Sequence, residues 1–188
     1  KKNYLFCKVI KSGLLESNKG VHLNKKINLP ALTKKDIFAL NLGKKMGIKH
    51  YAISFVNNHK DIYEVKKLTK SRIFLISKIE TKNALQDLKK ISLNSSALLI
   101  DRGDLSRYVP IEEIPIIQEK IINHGEKNNV PVYVATNLLE NMIKDDQPTG
   151  AESNDVYSTL KEGASGLVLA AETAIGKNPI ECVKFLKK

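Results

Sequence analysis

With 188 residues, 42% of them hydrophobic and 27% charged, the chain can bury a sizeable core, which excludes a disordered or fibrous polypeptide. Its 31 Lys and Arg against 20 Asp and Glu leave a net charge of +11, spread as single and paired lysines without interleaved aromatics. That is a solvated basic surface suited to anionic metabolites such as nucleotides, not a nucleic-acid face. No stretch has the apolar length of a membrane span or the form of a signal peptide, so no membrane partner is expected. Cys7 and Cys182 stand near opposite ends and read as reduced thiols, which points to a cytoplasmic protein. His22, His50, His59 and His124 lack metal-ligand spacing and are expected on the surface or in loops. A chain that opens on Lys1 rather than Met is expected to be processed or excerpted.

Residues 1–30 alternate apolar and polar (Tyr4, Phe6, Lys8, Ile10) and then run through Gly13 and Gly20, which reads as short strand and turn. Thr33 and Asp36 form a capping box before a helix over Ile37 to Met46, which Gly47 stops. Apolar runs of strand length follow at Tyr51–Val56, Ile73–Ile76, Ala97–Ile100, Val132–Ala135 and Gly166–Ala170. Amphipathic helical stretches lie between and after them, at His59–Lys70, Asn83–Ile91, Ile111–Lys127, Asn137–Lys144 and Ala151–Glu162. Pro179–Lys188 opens a further helix. Strands apolar throughout, alternating with helices, indicate an α/β fold with a parallel sheet covered by helices. Such units are too few to close an eightfold barrel, which takes about 250 residues. Two architectures remain: an open parallel sheet, or part of a barrel.

Ser77-Lys78-Ile79-Glu80 and Arg102-Gly103-Asp104-Leu105 place a lysine and two carboxylates at the ends of two of these strands. Hard divalent cations prefer oxygen ligands, and paired carboxylates leave coordination positions open for an anionic substrate. Lys78, two residues before Glu80, points to the same side of the strand and adds positive charge. The chemistry indicated is metal-assisted handling of a phosphate or an enolate. The same acids also fit solvated strand ends engaged in salt bridges.

The order of motifs narrows this. Lys19-Gly20-Val21 precedes Leu29-Pro30-Ala31-Leu32-Thr33-Lys34-Lys35-Asp36, Ser54-Phe55-Val56, the two acidic motifs and Pro110-Ile111-Glu112-Glu113. Ala135-Thr136-Asn137-Leu138-Leu139-Glu140, Pro148-Thr149-Gly150-Ala151-Glu152 and Ala171-Glu172-Thr173-Ala174 come after. Over nearly the whole chain this series closely resembles the pyruvate kinase family.

The resemblance implies a partial (β/α)8 barrel of the TIM type, about its fourth to eighth strands, with the site at the strands' carboxyl ends. Residues 1–29 would be the remnant of a lid domain, and 30–188 the partial catalytic barrel. It implies transfer of a phosphoryl group from phosphoenolpyruvate to ADP, giving pyruvate and ATP. Glu80 and Asp104 would hold Mg2+ or Mn2+, and Lys78 would stabilise the phosphoryl group in flight. Backbone N–H groups of Gly103 and Asp104 would bind the substrate carboxylate, where Gly103 also suits a plain strand-end turn. Thr136 would donate its hydroxyl to the same carboxylate; a helix N-cap is its other reading. Glu172 matches an acid near the protonation site, and Lys19 a lid lysine near the nucleotide. The family's K+ ligands and phosphate-binding arginine belong to strands that have no counterpart here. A homo-oligomer, or further chain segments, would complete the barrel.

Several residues depart from the family pattern. Ala170-Ala171-Glu172-Thr173 stands for Ser-Gly-Glu-Thr, removing a hydroxyl from a proton relay. Asn137 stands for a glutamine, Gly150 for a subunit-contact arginine, Asn57 for a basic residue and Ser106 for a glycine. The altered final motif and the absent strands keep open a non-catalytic metal- or metabolite-binding or partner-docking relative. The Glu and Asp pair, which resembles that of related barrels, keeps open an enolpyruvate lyase or aldolase, against which Pro148-Thr149 and Ala135-Thr136 argue.

Overall fold

The computed structural model describes residues 6–14, 21, 30–70 and 72–188. Helix α1 (Lys34–Lys45) begins at the expected capping box: Asp36 N donates to Thr33 Oγ1 at 3.2 Å, and Thr33 N donates to Asp36 Oδ2 at 2.7 Å. Gly47 follows at φ +73°, the left-handed turn that glycine takes without steric cost. Next come β1 (His50–Ile53), α2 (His59–Thr69), β2 (Phe74–Ile79), α3 (Lys82–Gln86) and α4 (Leu88–Asn94). Strand β3 (Ala97–Asp101), α5 (Arg102–Leu105), a 3-10 turn at Ile111–Glu113, α6 (Ile114–Lys127) and β4 (Val132–Ala135) continue the chain. It ends with a 3-10 turn at Glu140–Ile143, α7 (Gly150–Lys161), β5 (Gly166–Val168), α8 (Ala171–Ala174) and α9 (Pro179–Leu186).

The strands form one parallel sheet in the spatial order β1-β2-β3-β4-β5, which is also the chain order. Successive covering helices pack on one another, α1 on α2, α2 on α4 and α4 on α6, so they share one side of the sheet. A doubly wound sheet reverses its order at a switch point; this one does not. Single winding decides between the two architectures: these are consecutive strands of a barrel, with β1 and β5 at the edges among the described residues.

Alternation along the strands separates two faces. Leu75 and Ile79 of β2 and Leu98 and Ile100 of β3 join Ile62, Val65, Ile91, Ile121 and Ile122 in the core beneath the helices. Strand β3 is buried at every position, as its central place requires. A second cluster of Leu138, Leu139, Met142, Val156 and Cys182 packs with Leu167 of β5 and with Leu169 just after it. Gly125 lets α6 approach β4, because a Cβ there would meet the Val132 side chain and stand 2.6 Å from Val130 O.

Three expectations are corrected. Asn137–Lys144 does not form a continuous helix; only the 3-10 turn Glu140–Ile143 does, since Thr136 and Asn137 hold left-handed φ values of 68° and 53°. The stretch Asn83–Ile91 is broken at Asp87, whose Oδ2 accepts from His59 N at 2.8 Å and lies 2.6 Å from His59 Nδ1. His59 and His124 stand half-buried on α2 and α6, and His124 Nε2 meets Ser92 Oγ at 2.9 Å. Phe6–Leu14, the described part of the expected amino-terminal strand, carries no strand; Tyr4, Lys19 and residues 22–29 lie outside the described residues.

Gly125→Ala is expected to destabilise the fold by about 1–3 kcal/mol through overpacking, read by urea denaturation. The His59 backbone N–H first, and then its ring, hold the Asp87 carboxyl below the ordinary aspartate value of 3.8. A carboxyl depressed by folding adds stability above its unfolded pKa and loses it as pH falls through the folded one. Asp87→Asn is thus expected to lower the melting temperature near neutral pH. The gap to the unsubstituted protein closes as pH drops below 3.8, checked by thermal melts across acid pH.

Candidate active site

The loops at the carboxyl ends of the strands gather the titratable residues. Glu80 directly follows β2 and is 0% exposed. Its Oε2 accepts from the backbone N–H of Phe55, a residue held at φ 53° at the end of β1. Lys78 shares its face, as two-residue periodicity requires, with Nζ 2.6 Å from Glu80 Oε1 and 3.1 Å from Asp101 Oδ2. Burial pushes the Glu80 carboxyl up, and Lys78 and the Phe55 N–H offset only part of that rise. Burial works to lower the Lys78 pKa, but Glu80 and Asp101 outweigh it, so the net shift is upward and the ammonium stays charged.

Strand β3 ends on Asp101, which also caps α5. Its Oδ1 accepts from Asp104 N at 3.3 Å and from Thr136 Oγ1 at 3.2 Å. The register pairs Ile79 with Ile100 and Asp101 with Ala135, so the ends of β2, β3 and β4 lie level. Thr136 Oγ1 accepts from Gly103 N at 2.8 Å and donates at 2.6 Å to Ala135 O. A β-branched residue at φ 68° is an outlier that its surroundings must hold in place. Arg102 does so: its guanidinium donates to Thr136 O at 2.9 and 3.1 Å and to Asn137 O at 2.6 Å, and it is bidentate to Asp155 at 2.9 and 2.8 Å.

The sequence-based candidates Lys78, Glu80, Gly103, Asp104 and Thr136 thus meet in one place. Glu172 stands apart from them: almost wholly buried, it accepts from Leu139 N at 3.2 Å and from Ala170 N at 2.7 Å. Lys19 lies outside the described residues. The acid at the tip of β3 is Asp101, and Asp104 sits one turn further on, within α5. Sequence reasoning missed Asp101, Arg102 and Asp155. A strand ending on an acid just before the Arg-Gly-Asp run was the available signal for Asp101. Nothing local links Arg102 to a residue 53 positions away.

Glu80, Asp101 and Asp104 each place a carboxylate oxygen within 4.8 Å of the other two. These three acids stand against the Lys78 ammonium and, 3.3 Å from Asp104 Oδ1, the half-exposed Arg107 guanidinium. Glu80 Oε1 is buried and takes no hydrogen bond apart from its ion pair with Lys78. A hard, oxygen-preferring cation fits this donor set.

Fold and site together define the class: part of a singly wound (β/α) barrel with its acidic, lysine-bearing end at the strand carboxyl termini. A family model described as pyruvate kinase, barrel domain, matches residues 1–183, and the chain belongs to that family. It is similar to the pyruvate kinase of Corynebacterium glutamicum, 37% identical over 99% of this chain and 40% of that protein. It is similar also to the chloroplastic pyruvate kinase isozyme G of Nicotiana tabacum, 40% identical over 96% of this chain and 33% of that one. The pyruvate kinase of Thermotoga maritima is 38% identical over 94% of this chain and 39% of its own length. The chain therefore spans no more than about two fifths of the length of these relatives.

Arg102→Lys removes the planar fork that grips both Asp155 and the Thr136–Asn137 carbonyls. The expected loss is about 2 kcal/mol of stability in urea denaturation, since Asp155 is partly solvated.

Proposed function

We propose that this chain is part of the catalytic barrel of a phosphotransferase that moves a phosphoryl group from phosphoenolpyruvate to ADP, leaving pyruvate and ATP. The observation that carries this reading is the convergence of Lys78, Glu80, Asp101 and Asp104 at the ends of β2 and β3. Glu80 and Asp104 are the proposed holders of Mg2+ or Mn2+, which supplies Lewis-acid charge to phosphate and enolate oxygens.

Lys78 contributes a permanent positive charge beside that position, where transfer depends on positioning and electrostatics rather than covalent steps. The N–H groups of Gly103 and Asp104 now donate to Thr136 Oγ1 and Asp101 Oδ1. In this reading the substrate carboxylate replaces those acceptors, and the Thr136 hydroxyl turns to donate to it. Both Glu172 oxygens are engaged by backbone N–H groups, which supports a role in positioning the loops after β4 and β5 around the protonation site. Lys19 on the nucleotide side, and K+ held by residues beyond this chain, complete the proposed set.

Among the described residues no strand pairs with the outer edges of β1 and β5, and α1 exposes Phe38 and Leu42. Further strands, from the same longer polypeptide or from another copy, are the partners this geometry asks for. Among the described residues no helix is long and apolar enough to cross a membrane. A second reading, a relative that binds metal and metabolite without turnover, is favoured by Ala170, which offers no hydroxyl to a proton relay.

The test is a steady-state assay of ADP phosphorylation from phosphoenolpyruvate with magnesium and potassium. Glu80→Gln and Lys78→Met are each expected to lower kcat by about a hundredfold or more. Turnover untouched by both substitutions sinks the reading, whereas magnesium-dependent oxalate binding without turnover selects the non-catalytic one.

A further inference from the structure

Lys78 does not sit on one acid but between two. Its Nζ is 2.6 Å from Glu80 Oε1 and 3.1 Å from Asp101 Oδ2, so a small side-chain rotation exchanges one partner for the other. Each carboxylate is anchored through its remaining oxygen. Glu80 Oε2 accepts from Phe55 N, which leaves Oε1 as the oxygen with acceptor capacity to spare, and Oε1 is the atom that faces Lys78. Asp101 Oδ1 accepts from Thr136 Oγ1 and Asp104 N, which keeps Oδ2 directed at the ammonium.

A cation ligated by Glu80 Oε1 therefore competes with Lys78 for the same oxygen. Displacing a half-buried ammonium toward a divalent charge is strongly unfavourable unless another anion receives it. Asp101 is in place to do so.

We propose that Asp101 is a positioning residue that takes over the Lys78 ammonium when a divalent cation occupies Glu80. The inference rests on the reading of Glu80 and Asp104 as the cation's ligands, and it assigns Asp101 a role different from theirs. With Lys78 seated on Asp101, that pair is neutral. Glu80 and Asp104 then face the cation, Asp104 with Arg107 3.3 Å from its Oδ1. Lys78 meanwhile stays beside the cation with its charge held in a fixed direction, available to a transferring phosphoryl group.

A double-mutant cycle in the full chain tests this, with Mn2+ binding measured by the electron paramagnetic resonance signal of the free ion. Asp101→Asn keeps Oδ1 as an acceptor for Thr136 and Asp104, and circular dichroism verifies the fold of each variant. Asp101→Asn alone is expected to weaken Mn2+ binding about tenfold or more, because Lys78 is left with Glu80 as its one carboxylate. In a Lys78→Met background no ammonium competes, and Asp101→Asn is expected to change affinity by less than about threefold.

A loss that is the same in both backgrounds makes Asp101 a ligand or a purely structural residue and overturns the proposal. Unchanged affinity in Asp101→Asn alone also overturns it. Mn2+ binding that is absent, or indifferent to Glu80→Gln and Asp104→Asn, identifies the cation reading itself as the failure, and the proposal falls with it.

Discussion

The carboxylate of Glu80 is buried at the end of β2, and the loops around it are arranged by that fact. An ionised acid out of water demands compensation, and here it comes from an ammonium two residues earlier and a backbone N–H at the end of β1. The N–H belongs to Phe55, whose left-handed φ turns it toward Glu80. Lys78 in turn reaches Asp101, which fixes Thr136 and the first turn of α5. Removing the first carboxylate would loosen, in sequence, the loops following β1, β3 and β4.

Strained backbone collects at this end of the sheet. Phe55, Thr136 and Asn137 all hold positive φ, and each is tied down by a side chain from another element. Such conformations persist only where the surroundings over-determine them. Arg102 is the chief restraint on the turn after β4, bridging the Thr136 and Asn137 carbonyls to α7 through Asp155. Glu172 performs the corresponding task between the loops that follow β4 and β5, and Cys182 packs beneath it, its thiol pushed up by burial and then by the Glu172 charge.

The departures from the family pattern are mild where the structure describes them. Ser106 adopts helical angles and donates to Gly103 O at 2.8 Å, so no glycine is required there. Gly150 opens α7 with free space around it, and a side chain at that position would extend outward. Asn137 suits φ 53° better than a longer amide does, because asparagine tolerates the left-handed region, and its Nδ2 reaches Glu140 at 2.7 Å. Asn57 braces the Phe55 turn by donating to its carbonyl at 3.1 Å. Ala170 is the exception: its own side chain carries no hydroxyl, and the one beside it belongs to Thr173, whose Oγ1 donates to Ala170 O at 3.3 Å.

Local rules made much of this chain readable in advance. Continuous apolar runs marked the five parallel strands, and the Thr33–Asp36 capping box marked the start of α1 within a few residues. Parity along β2 placed Lys78 beside Glu80. These features depend on neighbours in sequence, and neighbours are visible there. The winding of the sheet, the alignment of Asp101 with Glu80 and Thr136, and the grip of Arg102 on Asp155 depend on register and on contacts spanning up to 53 positions. Asn137–Lys144 misled for the same reason: its helical pattern was genuine, but the Arg102 guanidinium at the start of α5 held the chain in a conformation that no helix can continue.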